Sequence, residues 1–268
     1  MRIRSAVAAL LALGLTACGS TSEPSSDARP TETQPTTTQP TETGRASTSA
    51  PPSATSSPST RTTPRASRSP KPKPAVEGID ASHHQGPIDW ARVADHGIAF
   101  AYLKASEGTG FVDPRFAAHR RAARRHGVDV AGYHYFQLCS DGTAQAEHFA
   151  SVLGPPASGA TDRLPPAVDL ELAGSCTDPP AADVLLAEVR EFLDLIDRRY
   201  STTTMVYLYP EFEARYGFAD DLADHPQWVR RLGDRPPRRE WQVWQYDDAG
   251  SIPGVSGGVD LNRMRPGG

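Results

Sequence analysis

Cysteine is scarce in this 268-residue sequence, occurring only at positions 18, 139 and 176. No Cys-x-x-Cys or His-x-x-x-His spacing accompanies the three, so the ligand pattern of a tetrahedral zinc site is missing. His83 and His84 stand beside each other near Asp80, but adjacent side chains project in different directions on any backbone, and no metal is expected there. Nor do Ser82 and Ser106 have the companions of a nucleophilic triad. A basic excess is also lacking where it would count. Residues 76–268 carry nineteen Lys or Arg against twenty-eight Asp or Glu, and a phosphate-binding face needs the opposite balance, so a nucleic-acid partner is excluded. Among those nineteen, Lys104 is the only lysine.

A long hydrophobic run is missing too. Arg2 and Arg4 precede an apolar stretch from Ala6 to Leu15, which at about ten residues is too short to span a bilayer and has the form of an export signal. The residues that follow, Leu15-Thr16-Ala17-Cys18-Gly19, resemble a bacterial lipoprotein signal, in which the cysteine becomes the lipidated first residue of the mature chain. Residues 1–17 are thus expected to be a lipoprotein signal peptide, with Cys18 anchoring the protein to the outer face of the bacterial cell membrane; an ordinary secretory signal would release it instead. Residues 18–75 are Ser, Thr and Pro with scattered charges and almost no large apolar side chain. Such a stretch cannot offset the entropy of folding and reads as a disordered tether. Its reach lies between roughly 40 Å as a flexible coil and roughly 170 Å as extended polyproline II.

From Val76 the composition changes to apolar stretches separated by helical patterns, the alternation of an α/β fold with parallel strands. Strands are predicted at 76–80, 98–105, 128–136, 167–172, 204–209, 227–232, 241–246 and 259–262. Two helices are clearest, one beginning at Asp113 and Pro114 and stopping at Gly127, the other beginning at Asp178 and Pro179 and running to Tyr200; in each the Asp is expected to cap the first turn. Only loops separate the last three strands. Residues 76–268 are therefore expected to form a closed but irregular TIM-like (β/α)-barrel, with βα units early and bare strands late.

The stretch Leu164 to Cys176, LPPAVDLELAGSC, raises the central question, since it puts two carboxylates into an apolar run. In a strand, side chains two apart share a face, so Asp169 and Glu171 point one way while Val168, Leu170 and Leu172 point the other. In a barrel one of those faces is the interior, and the strand's end before Gly174 is the mouth where barrel enzymes place their chemistry. Asp80 is placed at the end of the first strand and Asp260 at the end of the last. Closure makes those strands neighbours, which would gather all four acids at one rim. Carboxylates so placed repel one another and hold protons above their ordinary range, the condition a general acid for glycosidic cleavage requires. Glu171, with the longer arm nearest the rim, is the candidate acid.

Aromatic side chains recur at one-face spacing on the same strands: Tyr133 and Tyr135, Tyr207 and Tyr209, Trp244 and Tyr246. Some must be core, but flat rings beside acids and amides such as Gln85, Gln245 and Asn262 suit a sugar, whose ring faces are apolar and whose edge is hydroxyl. Candidate substrate contacts are Tyr133, Tyr135, Tyr207, Tyr209, Trp244, Gln245 and Lys104. Lys104 shares a strand face with Phe100 and Tyr102, which suits a compact ammonium inside the barrel paired with Asp80 or Glu107. Cys139 and Cys176 follow the third and fourth strands, so both belong to loops at the mouth; in an exported protein a disulfide between them is expected, with two buried free thiols as the alternative.

Taken in order, GIDASHHQGPIDW, FAYLKASEGTGFVDPRF, GYHYF, PPAVDLEL, WQVWQY and GGVDLN resemble the glycoside hydrolase family 25 lysozymes, the Chalaropsis-type muramidases. The resemblance covers nearly all of residues 76–265. It implies an irregular barrel of five βα units and three further strands that cleaves the β-1,4 bond between N-acetylmuramic acid and N-acetylglucosamine in peptidoglycan. It also implies Glu171 as general acid, with Asp169, Asp80 and Asp260 lining the groove, and neither a metal nor an organic cofactor. The expected partners are peptidoglycan strands and, through Cys18, a membrane; the chain is expected to be a monomer. Two other readings stay open: a surface lipoprotein that holds glycan without cutting it, and a hydrolase of another N-acetylated glycan.

Overall fold

The computed structural model describes residues 75–156 and 164–266; the expected signal peptide, the expected lipidation at Cys18 and the expected tether up to residue 74 lie outside them. Nine strands form one sheet: β1 (Val76–Ala81), β2 (Phe100–Glu107), β3 (Phe111–Val112), β4 (Asp129–Tyr135), β5 (Ala167–Leu170), β6 (Met205–Leu208), β7 (Gln227–Arg230), β8 (Val243–Gly250) and β9 (Val259–Met264). Around the sheet the order is β1-β9-β8-β7-β6-β5-β4-β2, and β2 pairs back onto β1, so eight strands close into a barrel. The two-residue β3 folds back on β2 as a short hairpin outside the ring.

Five βα units come first. Helices α1 (Trp90–Asp95), α2 (Phe116–Arg125), α3 (Gly142–Leu153) and α4 (Ala182–Tyr200) each lead to the next barrel strand, and α5 (Pro210–Tyr216) with α6 (Phe218–Asp221) together connect β6 to β7. After β7 there are only loops, as expected. One feature departs from a parallel barrel: β9 runs antiparallel to both β8 and β1. Asp260 is therefore near the beginning of the last strand rather than at its end, and the reversal is what brings it directly opposite Asp80.

The two helix starts predicted from Asp-Pro also shift. Helix α4 begins at Ala182, four residues after Asp178, with no side-chain cap, because a proline keeps the residue before it out of the helical region and Pro179 and Pro180 follow in succession. Asp113 does turn its Oδ1 to the Arg115 amide at 2.8 Å, but its Oδ2 is taken by the His83 backbone and Nδ1, each at 2.8 Å. It thus ties the loop after β1 to the turn that enters α2.

Apolar burial divides into two bodies. One lies between barrel and helices and takes the stripe Leu185, Val189, Phe192, Leu193 and Ile196 from α4, spaced as one helical face. The other fills the barrel's lower interior with Phe100, Tyr102, Ala131, Ala167, Met205, Tyr207, Trp228 and Val243. Gly78 is needed there, since a Cβ at that position would meet the Phe100 ring at 2.3 Å. The filled floor makes the barrel a cup beneath the mouth.

Candidate active site

Above that floor lies a cavity of about 380 Å³, and Asp80, Asp169, Glu171 and Asp260 all line it. The alternation read from the sequence places them: Val168 and Leu170 are fully buried in the helix-facing core, while Asp169, between its register partners Tyr135 on β4 and Tyr207 on β6, faces inward. Glu171 stands one residue past the end of β5 and is half-buried.

The carboxyls fall into two pairs. Asp80 Oδ2 accepts hydrogen bonds from Asn262 Nδ2 at 2.7 Å and Gln245 Nε2 at 3.1 Å. Both amides are held in that orientation from behind, Asn262 Oδ1 by the Trp228 indole N–H at 2.8 Å and Gln245 Oε1 by the Tyr207 hydroxyl at 3.0 Å. An indole nitrogen can only donate, which fixes the Asn262 amide. Burial pushes Asp80 up, and the Asn262, Gln245 and Asp260 hydrogen bonds oppose it. Asp260 is pushed up to about 9, first by burial, then by the Asp80 charge and the hydrogen bond that joins the two. Asp260 therefore keeps a proton at neutral pH and presents it to Asp80.

In the second pair, burial raises Asp169 well above the usual carboxylate range, with the charges of Glu171 and Asp80 adding to it and Lys104 opposing. Its Oδ1 is buried and has no hydrogen-bond partner. Glu171 is raised to about 7, again by burial first and then by Asp80, against the pull of the Asp169 hydrogen bond, Arg230 and Lys104. Asp169, the deeper of the two, holds its proton more tightly. At neutral pH the pair retains at least one proton, within reach of whatever occupies the mouth.

Six of the seven expected substrate contacts line the cavity: Tyr133, Tyr135, Tyr207, Tyr209, Gln245 and Lys104. Trp244 does not. Strand alternation that turns Gln245 inward turns Trp244 outward, where its Nε1 donates to the Arg231 carbonyl at 2.6 Å and Arg263 covers its ring at 5.4 Å. Adjacent residues could not share the inner face. Lys104 does lie on the inner face, and of its two candidate partners it takes Glu107, Nζ to Oε2 at 2.6 Å, with its ammonium 4.7 Å from the centre of the Tyr135 ring. A bulge between Lys104 and Ser106 brings the two charges to one side of β2. Of the named amides, Asn262 is fully buried as a support for Asp80, and Gln85 lines the cavity while its Oε1 accepts from the Ser82 amide.

Sequence reasoning missed Trp228, Arg230 and Asp248, which also line the cavity. The signal was present for the first two: Trp228 and Arg230 are two apart in a recognised strand and so share a face. It also left unexplained the buried chain from Ser106 Oγ to His134 Nδ1 at 2.9 Å, and from His134 Nε2 to Gln145 Oε1 at 3.2 Å. Burial lowers His134 to about 3. The ring is neutral, and because Gln145 Oε1 can only accept, Nε2 carries the hydrogen. Gln145 in turn accepts from the Gln137 amide at 2.7 Å and so fixes the turn after β4.

That turn holds Cys139, bonded to Cys176 in the loop after β5, with Cα atoms 5.9 Å apart. The strap is reinforced by Leu138 N–H to Ser175 Oγ at 2.5 Å and Gln137 Nε2 to the Gly174 carbonyl at 3.4 Å. Glu171 is thus flanked on its exit side by a loop tied to β4. Closing a 37-residue separation contributes about 3–4 kcal/mol. Replacing both cysteines by serine is expected to lower the melting temperature by on the order of 10 °C, measured by calorimetry against the oxidised parent; an unchanged melting temperature would show that the strap carries no stability.

Similarity to known proteins follows the same residues. The pattern of the glycosyl hydrolases family 25 matches residues 79–255. Lysozyme M1 of Streptomyces globisporus is 35% identical over 204 residues, covering 70% of this chain and 67% of that protein. The N,O-diacetylmuramidase of Chalaropsis sp is 29% identical over 205 residues, covering 69% of this chain and 96% of that protein. Among solved structures, the bacterial lysozyme from Streptomyces coelicolor superposes with a TM-score of 0.63 at 31% identity, covering 71% of this chain and 92% of that one.

Proposed function

The chain belongs to the glycosyl hydrolases of family 25 and is a peptidoglycan-cleaving muramidase, and from that premise we propose that Glu171 is its proton donor, with Asp169, Asp80 and Asp260 arranging charge around the bond that breaks. The observation that carries this is the convergence of the four carboxyls in one cavity although the chain separates the first from the last by 180 positions.

Glu171 gives its proton to the glycosidic oxygen as the bond to the muramic acid anomeric carbon breaks. The substrate's own N-acetyl oxygen attacks that carbon, and the unpartnered Asp169 Oδ1 accepts the N-acetyl N–H, drawing the group into line. The ionised Glu171 then takes a proton from water, which opens the cyclic intermediate and regenerates the acid. Two inversions at one carbon give net retention. Asp80, fixed by its two amides, supplies negative charge opposite Asp169 while the anomeric carbon is cationic. Tyr133, Tyr135, Tyr207, Tyr209, Gln245 and Lys104 line the bed in which the sugar rings lie.

Two measurements test this. Digestion of purified peptidoglycan is expected to release muropeptides with muramic acid at the reducing end; N-acetylglucosamine at that end would reassign the bond cut. NMR of the first product is expected to show the β anomer, and an initially inverted anomer would remove the N-acetyl route.

The substrate places the work outside the cytoplasm. We further propose that residues 1–17 are a lipoprotein signal, that Cys18 carries the lipid and that residues 18–75 tether residues 76–268, acting as a monomer, within reach of the wall. Mass spectrometry of the mature N-terminus is expected to find a diacylglyceryl group on Cys18.

A further inference from the structure

Arg230 takes no part in the steps above, yet it belongs to the cavity wall. It is the last residue of β7, its side chain is only 17% exposed, its Nη2 donates to the Asp248 carboxylate, and its guanidinium lies 5.0 Å from the centre of the Tyr209 ring. Around the eight-strand ring β7 stands opposite β2, which carries the other cation of the mouth, Lys104, with Glu107. The four acids are therefore flanked by two cations on opposing sides, each bound to an acid of its own. We propose that Arg230, clamped between Asp248 and Tyr209, is a positioning residue for the reaction, a fixed positive charge beside Glu171 that sets the alkaline end of the enzyme's working range.

The charged neighbours of Glu171 come from every strand that faces it. Asp169 lies on its own strand, Asp80 on β1 and Asp260 on β9; Lys104 comes from β2, Arg230 from β7 and Asp248 from β8. Tyr135 on β4 and Tyr209, just after β6, bring hydroxyls to the same wall. Negative neighbours make Glu171 harder to ionise and positive ones make it easier, and Arg230 acts in the second sense on both Glu171 and Asp260. A guanidinium suits this task. It stays charged at every pH the enzyme meets, it lies over the Tyr209 ring while its Nη2 holds Asp248, and that clamp prevents the charge from wandering. Its influence is then a constant offset on the titration of the acid.

This inference rests on Glu171 being the proton donor. The test is the pH dependence of the initial clearing rate of a peptidoglycan suspension for the parent, Arg230→Met, Arg230→Lys and Asp248→Asn, each normalised to its own maximum. Above the acid's pKa the rate falls about tenfold per pH unit. An upward displacement of about half a unit for Arg230→Met would thus leave it roughly threefold above the parent at pH 8. Arg230→Lys is expected to keep the parent profile. Asp248→Asn, which removes a negative charge and leaves Arg230 unopposed, is expected to move the limb downward, and it carries the test should Arg230→Met not fold. An unmoved or lowered limb in Arg230→Met, or a raised one in Asp248→Asn, overturns the proposal. Should Glu171→Gln itself still clear the suspension, the assignment of the acid fails and this inference with it; an inactive Glu171→Gln beside an unmoved Arg230→Met limb sinks the role of Arg230 alone.

Discussion

Replacing Glu171 by Gln is expected to reduce clearing of a peptidoglycan suspension by about 10² to 10⁴-fold, the contribution of a positioned general acid. Gln keeps the shape and can still hydrogen-bond Asp169, but it has no proton to give to a leaving oxygen. The fold, the Cys139–Cys176 bond and glycan binding should survive, so a pull-down on insoluble peptidoglycan is expected to retain the variant. Those paired results separate an enzyme from a protein that only holds glycan: a parent as inactive as Glu171→Gln, with both bound equally, would establish the second. The parent's own pH profile adds a direction. A donor raised to about 7 is armed below that value and spent above it, so activity should fall on the alkaline side from near neutrality. A carboxylic acid with an ordinary pKa would already be spent at pH 6.

Much of this site was legible in the sequence because period-two alternation is a strict rule. Asp169 and Glu171 had to oppose Val168 and Leu170 in any strand, and barrel closure had to make the first and last strands neighbours. The same rule, applied to WQVWQY, would have shown that Trp244 and Gln245 face opposite ways and that only one could touch substrate. What stayed hidden depends on direction and distance. Nothing in GGVDLN says that β9 runs antiparallel, since strand polarity is decided by the connection that precedes it. The hairpin strand Phe111–Val112 is too short to have a period. Asp113 looked like a helix cap because a local sequence cannot reveal His83, thirty residues away, competing for its Oδ2. The pairing of Arg230 with Asp248 was invisible for the same reason: two residues eighteen apart meet only once β7 and β8 are adjacent.

Asp169→Asn should have effects of opposite sign on activity and stability. Activity is expected to fall about 10² to 10³-fold, as when one preorganised polar group is removed from a reacting centre, because an amide cannot pass a proton to Glu171 and so become the carboxylate that draws in the N-acetyl N–H. Stability is expected to rise, and to rise more as the pH increases. The sign follows from proton binding. In the folded protein Asp169 holds its proton well above the ordinary value of 3.8, Glu171 holds one up to about 7 and Asp260 up to about 9, whereas the unfolded chain releases all three near pH 4. Over that window the folded state binds more protons than the unfolded one, so stability is fully present below pH 4 and is lost as the pH rises through each folded pKa. Each such group can cost up to about 1.4 kcal/mol per pH unit across its own window. The amide introduced by Asp169→Asn would imitate the protonated acid, with its N–H donating to Glu171, and would have nothing to ionise. The variant's melting temperature should match the parent's at pH 4 and exceed it by several degrees at pH 8, a gap read directly from calorimetry at the two pH values. A gap that does not widen with pH would mean that Asp169 is ionised in the resting enzyme and that the shared proton resides on Glu171. The muramidase site is on this account held together against its own charge, and the carboxyl buried deepest is the one whose removal should relieve the fold most while disabling the chemistry.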